Sequence, residues 1–237
     1  LYGFKPETLL DISMIIIIAA IVGSRIAYVI FHLSEFEGRW LDIINPVEST
    51  GQIGISGMVI LGGMALAIVS SWVYVRIRKW SFLNLSDTIA PGLALGIAIG
   101  RMGCFLNGCC FGTECSLPWG MTFPEGSMAH YIYGDIPIHP TQLYAVIYNL
   151  LIFLVLILIH PRKIFPGFHF GLFMILYGFF RFMNEFVRYY EGSEAGMRIL
   201  HLSGLGITFS QVISLLLFSG GIVLIIFNRR KEFDPEQ

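Results

Sequence analysis

The chain holds 237 residues, of which 55% are hydrophobic and only 13% charged, with a mean hydropathy of +0.73 and a formal net charge of −1. A soluble domain carries about 25% charged residues, so this composition excludes an ordinary water-soluble globule. The near-zero net charge excludes a global basic field, and no nucleic-acid partner is expected. Stretches of roughly 17–25 apolar residues, long enough to cross a bilayer, are read at 10–32, 53–75, 86–106, 140–160, 167–188 and 207–228. The first is too long for the apolar region of a signal peptide and carries Arg25. The second and sixth hold no charge. The third contains Asp87 and Arg101, with Gly92, Gly96 and Gly100 at a spacing that reads as a close-packing face. Gly62 and Gly63 could pack in the same way in the second. The fourth opens at Pro140, which suits a first helical turn. The fifth carries Arg181, Glu185 and Arg188. The predicted fold is all-α, a polytopic helical integral membrane protein with one transmembrane domain over 1–237.

Basic residues set the orientation. Arg76, Arg78, Lys79, Arg162, Lys163, Arg229, Arg230, Lys231 and Lys5 all fall on one side. The positive-inside rule makes that side cytoplasmic and both termini internal. Loops 33–52, 107–139 and 189–206 then face outward, in a bacterium toward the periplasm.

Four arginines, Arg25, Arg101, Arg181 and Arg188, lie inside or at the ends of spans, all toward the outer half. A charge at the bilayer centre costs at least about 2.5–3.5 kcal/mol, so such residues face the protein interior or a wet cavity and pair. Tyr177, Arg181, Glu185 and Arg188 stand at i, i+4, i+8 and i+11, one helical stripe. Glu185 alone cannot neutralise four arginines. Snorkelling to the headgroups explains one arginine better than four. A voltage sensor or a proton-coupled transporter would show other patterns. A phosphate fits the guanidinium forks, and at this depth the natural phosphate is a phospholipid headgroup. The string "HPTQLY" (139–144) adds His139, Gln142 and Tyr144 at a helix N-terminus, itself an anion site. His139 can titrate near neutral pH and is a candidate base.

All four cysteines fall in "CFLNGCCFGTEC": Cys104, Cys109, Cys110 and Cys115. Three readings compete: metal ligands, a nucleophile at Cys109 or Cys110, or disulfide clamps. The spacing lacks the second knuckle of a structural zinc site, so metal has the least weight and none is expected. An even count in an outward loop favours disulfides, with two full pairings open because Cys109 and Cys110 are adjacent.

Five strings in order resemble bacterial prolipoprotein diacylglyceryl transferase. They are "GSRIAYVIF" (23–31), "SDTIAPGLALGIAIGRMGCFLNGCCFG" (86–112), "HPTQLY" (139–144), "YGFFRFMNEFVRYYEG" (177–192) and "FSQVISL" (209–215), with "LPWGMTFP" (117–124) between the second and third. The resemblance implies transfer of a diacylglyceryl group from phosphatidylglycerol to the lipobox cysteine of a prolipoprotein, with no cofactor. It implies Arg101 and Arg181 at the departing phosphate and Arg25 and Arg188 at the headgroup. Glu185 would orient the arginines, and Asn107, Gln142, Tyr144 and Tyr177 would supply hydrogen bonds. It also implies an acceptor thiol from the substrate, against a nucleophilic Cys109 or Cys110. Departures are specific. Leu61 stands where much of the family has a histidine, Cys104 where an asparagine is common, Cys109 where a glutamate is common, and Ala145 where a glutamate is usual. The family usually has seven spans; six are read here, with no counterpart of its usual first helix. The competing class is a paralogue that binds or moves anionic phospholipid, or transfers to another acceptor.

Overall fold

The computed structural model describes residues 6–36, 38, 40, 59–162, 164–190, 198–202 and 205–233. Six long helices occupy the six expected spans: α1 (Pro6–Phe31), α2 (Ile60–Ile77), α3 (Phe82–Leu106), α5 (Thr141–Ile159), α6 (Phe168–Glu185) and α7 (Phe209–Phe233). A short α4 (Met128–Tyr133) lies in the long loop between α3 and α5, and a hairpin of β1 (Arg198–Leu202) and β2 (Leu205–Thr208) precedes α7. Its strands are antiparallel, with Leu200 opposite Ile207. Among the described residues, four helical segments are long and apolar enough to span a membrane, at Glu7–Phe31, Phe82–Leu106, Thr141–Ile159 and Phe209–Arg229; Leu61–Ile77 is a shorter apolar helix. The chain is a polytopic helical membrane protein. It divides into two compact units, Leu1–Phe82 and Leu83–Gln237.

In the first unit, α1 opens on Pro6, whose missing N–H is no loss in a first turn, with Glu7 at the positive end of the helix dipole. α1 and α2 pack at Gly23 and Gly62. A Cβ on Gly23 would lie 2.5 Å from the Gly62 carbonyl oxygen, so only glycine admits this approach. The Val59 N–H donates to the Ser24 carbonyl at 3.1 Å, tying the start of α2 to α1. The second span was expected from 53, and residues 53–58 lie outside the described ones.

The second unit has its core where α3, α5 and α6 meet. Ala90 and Ala94 of α3 pack with Ala145, Tyr148, Ile152 and Leu156 of α5 and Phe173 of α6. The small residues of α3 let the large ones of α5 and α6 fill the space. Asp87 of α3 is fully buried. Its carboxylate accepts the Gly167 N–H at 2.7 Å and the Phe170 N–H at 2.8 Å. These are donors that the first turn of α6 cannot satisfy internally, so one helix caps another. The opposite faces stay apolar and exposed, as at Leu158 and Val223. A bilayer solvates such faces without penalty.

Two expectations are corrected. A Cβ on Gly92, Gly96 or Gly100 would meet nothing within 4 Å, so these glycines form no packing seam with the described helices of their own unit. The close-contact role falls to Gly23 and Gly62. The fifth helix ends at Glu185, not 188. Beyond it the backbone pairs with the loop between α3 and α5: the Thr113 N–H donates to the Val187 carbonyl, and the Tyr189 N–H to the Phe111 carbonyl. That extended pairing takes Arg188 off the helical stripe and into a bridge with Gly112.

The loop between α3 and α5 has its own small core of Phe111, Phe123, Ala129 and Ile138. Phe111 stacks on Tyr189 with ring centroids 5.5 Å apart. Ser127 caps α4 by accepting the His130 N–H at 3.1 Å.

Candidate active site

Three pieces of the second unit assemble the polar groups: the end of α3, the start of α5, and the end of α6 with the segments after it. Arg181 and Glu185 stand one turn apart on α6, both buried, and form a salt bridge. Breaking such a pair by removing one partner costs about 3–5 kcal/mol, because the other charge is stranded.

Glu185 is held from further directions. The Tyr190 hydroxyl donates to Oε1. Thr208 Oγ1 donates to the same oxygen at 2.9 Å. Thr208 is also the N-cap of α7. Its Oγ1 accepts the Gln211 N–H at 3.2 Å, and its own N–H donates to Gln211 Oε1 at 3.0 Å. This reciprocal capping box is encoded in "TFSQ" (208–211). The carboxylate is therefore fixed by α6, by the segment after it and by the start of α7. Burial and the bond to Glu185 both hold the Tyr190 hydroxyl above its ordinary range.

Tyr148 of α5 joins the arginines. It lies within electrostatic reach of both Arg181 and Arg101. Its ring stacks on Phe180 at 5.6 Å and meets Tyr177 edge-on at 6.4 Å. Tyr177 stacks in turn on Phe173 at 5.6 Å. Arg188 lies with its guanidinium 5.1 Å from the Tyr190 ring centre. Its buried Nε has no hydrogen-bond partner among the described residues. Arg25 belongs to the first unit, where its guanidinium sits over Tyr28 and Phe36 at 5.8 and 5.3 Å.

The start of α5 is braced by the loop. His139 Nδ1 and the Tyr144 hydroxyl are 3.0 Å apart. The buried Gln142 donates from Nε2 to the Cys109 carbonyl at 2.7 Å, while its buried Oε1 has no partner among the described residues. Thr141 Oγ1 donates to the Cys110 carbonyl at 2.7 Å. Gly112 runs between these segments. A Cβ there would lie 2.5 Å from the Val187 oxygen and 2.6 Å from the His139 Cβ, so no side chain fits. Asn107 is exposed and follows the last residue of α3.

The arrangement places Tyr148 within electrostatic reach of both Arg101 and Arg181. A buried carboxylate orients Arg181. A histidine and a glutamine stand at a helix N-terminus facing the loop.

A family model for prolipoprotein diacylglyceryl transferase matches residues 2–227. The chain belongs to the prolipoprotein diacylglyceryl transferase family. It is 33% identical over 229 residues to the phosphatidylglycerol–prolipoprotein diacylglyceryl transferase of Nitratidesulfovibrio vulgaris, covering 96% of this chain and 79% of that one. It is 32% identical over 231 residues to the enzyme of the same name from Cupriavidus pinatubonensis, covering 97% and 77%. A relative from Clostridium perfringens, named as a second such transferase, is 30% identical over 230 residues, covering 97% of this chain and 82% of the relative. The resemblance read from the motifs is thereby borne out at the level of the family.

In this diacylglyceryl transferase-family chain no disulfide joins the cysteines among the described residues. All four cysteines are free thiols. Cys115 is buried, and the other three are half-buried. The loop is held instead by backbone bonds. The Gly112 N–H donates to the His139 carbonyl at 2.9 Å, and the Cys115 N–H to the Pro137 carbonyl at 2.9 Å. The Gln142 and Thr141 bonds tie the same loop to the start of α5.

Tyr148, Tyr190 and Thr208 escaped the sequence reading. "TFSQ" is a legible helix start, but nothing local says that its threonine faces Glu185. Tyr148 sits one turn after Tyr144 and reads as an ordinary core aromatic.

Proposed function

We propose that this chain is a phosphatidylglycerol–prolipoprotein diacylglyceryl transferase with a single transmembrane domain over 1–237. It works in the bacterial inner membrane with its site toward the periplasm. The observation that carries the proposal is the buried Arg181–Glu185 pair beside Tyr148 and within the same field as Arg101. Two guanidinium groups served by one carboxylate leave positive charge for a lipid phosphate.

In this reading phosphatidylglycerol enters from the outer leaflet. Its phosphate meets Arg101 and Arg181, with Arg188 and Arg25 on the headgroup. Glu185 orients Arg181. Asn107, Gln142, Tyr144 and Tyr177 hydrogen-bond the lipid. The acceptor is the lipobox cysteine of a prolipoprotein signal peptide. Its thiolate attacks the glycerol carbon that bears the phosphate ester. A carbon–sulfur bond forms, the carbon–oxygen bond breaks, and glycerol phosphate leaves with the electron pair. Arginines placed where that charge develops lower the barrier. His139 takes the thiol proton. This requires the tautomer with its proton on Nδ1, donated to Tyr144, so that the Nε2 lone pair accepts. With Leu61 where the family often has histidine, that duty falls to the His139 side of the site.

Genetic rescue tests the proposal. The gene is expressed in cells depleted of their own transferase. Restored growth, with lipoproteins bearing the thioether-linked diacylglyceryl group, supports it. Well-expressed protein in the membrane with no rescue and no modified lipoprotein overturns it, and favours a paralogue that binds or moves anionic phospholipid.

A further inference from the structure

The Sγ atoms of Cys104, Cys109 and Cys110 lie within 4.8 Å of one another. The sequence hides this convergence, because a C-x4-C-C spacing resembles no pair of knuckles. The end of α3 explains it. The Gly108 N–H donates to the Phe105 carbonyl at 3.1 Å, and the Cys109 N–H to the Cys104 carbonyl at 3.1 Å. Gly108 has φ +65°. This pair of bonds around a left-handed residue is the Schellman helix ending, which sets the residue after the glycine against the one five positions earlier. Those two residues are Cys109 and Cys104. Cys110 also has a positive φ, +62°, and the chain turn there adds the third sulfur. The turn is pinned from α5, since Gln142 and Thr141 each donate to a carbonyl of the cysteine pair at 2.7 Å.

We propose that Cys104, Cys109 and Cys110 bind one thiophilic closed-shell metal ion of the zinc class. Zinc–thiolate bonds are about 2.3 Å, which sets sulfurs about 3.8 Å apart on a tetrahedron. Sulfurs already within 4.8 Å need to close by about 1 Å at most. An ion uses all three sulfurs, whereas a disulfide would use two and strand the third. The carbonyl end of α3 carries the negative end of the helix dipole, which favours a cation there. The three protein ligands leave a fourth position to water. Cys115 is outside the cluster. The bound ion fastens the last turn of α3 to the loop, the task that composition alone assigns to disulfides. The site does not depend on the transfer chemistry and stands or falls separately from it.

The test uses the whole chain, purified in detergent under reducing and metal-free conditions, with helical content checked by circular dichroism. It is titrated with Co2+ as a spectroscopic probe and then with Zn2+. The expected result is one Co2+ per chain with a thiolate-to-cobalt charge-transfer band that Zn2+ abolishes. Cys104→Ser and Cys109→Ser each weaken binding by about tenfold or more, and Cys115→Ser leaves it unchanged. Cys104→Asp keeps an oxygen donor and retains a weaker band, which a misfolded variant would not. Folded wild type without the band overturns the proposal. So does a band that survives Cys104→Ser at full strength, or one lost in a folded Cys115→Ser protein.

Discussion

One hydroxyl links the last helix to the buried carboxylate: Thr208 Oγ1 accepts the Gln211 N–H that starts α7 and donates to Glu185 Oε1 at 2.9 Å. The start of α7 and the orientation of Glu185 therefore share a single atom. Glu185 in turn holds Arg181.

Thr208→Val removes both bonds and keeps the side-chain shape. Loss of the cap costs about 1 kcal/mol, and loss of a hydrogen bond to a charged group about 1.5–3 kcal/mol. A destabilisation of about 2–4 kcal/mol is expected from denaturant unfolding in detergent, with Thr208→Ser within about 1 kcal/mol of wild type. Equal stability of the valine and wild-type proteins would show that the hydroxyl is not shared.

The Arg181–Glu185 pair should behave as a unit. Arg181→Met and Glu185→Gln each strand a buried partner and should cost about 3–5 kcal/mol. The double variant should cost less than the sum by about 1–3 kcal/mol. A double-mutant cycle on unfolding free energies reads this directly, and simple additivity would contradict the pairing.

Tyr190 carries a pH prediction. Burial first, and the Glu185 bond second, hold its ionisation above the ordinary value of 10.0. The neutral hydroxyl is the donor, so its stabilisation is fully present below about pH 10 and is lost as pH rises through the raised value. Phenolate absorbance of wild type minus Tyr190→Phe should therefore show a tyrosine titrating above 10. Titration at or below 10 would mean that the hydroxyl does not face the carboxylate.

Much of the fold was legible from apolar length. Each of the six expected spans holds a long helix, because lipid demands an unbroken run of apolar residues whose backbone bonds close within the segment. The helical spacing allows Glu185 to pair with Arg181 or with Arg188, and the structure pairs it with Arg181. What failed were inferences needing long-range partners. Gly92, Gly96 and Gly100 have the spacing of a packing seam, but spacing does not say what lies opposite. Arg188 left the stripe because backbone pairing with 111–113 ended α6 early. The count of cysteines does not say that a helix-ending motif at Gly108 brings three of their sulfurs together. Thr208 reached Glu185 through a capping box, a local pattern with a distant consequence.

The central claim is tested most directly by reconstituting the purified chain in phosphatidylglycerol bilayers with a lipobox peptide and weighing the product. The account predicts a peptide heavier by one thioether-linked diacylglyceryl group, with glycerol phosphate released in equal amount. It predicts no product from a peptide whose lipobox cysteine is replaced by serine, and a large loss of rate in Arg181→Ala and Arg101→Ala. Folded wild-type protein that leaves the peptide unmodified, where a known transferase modifies it, would contradict the account.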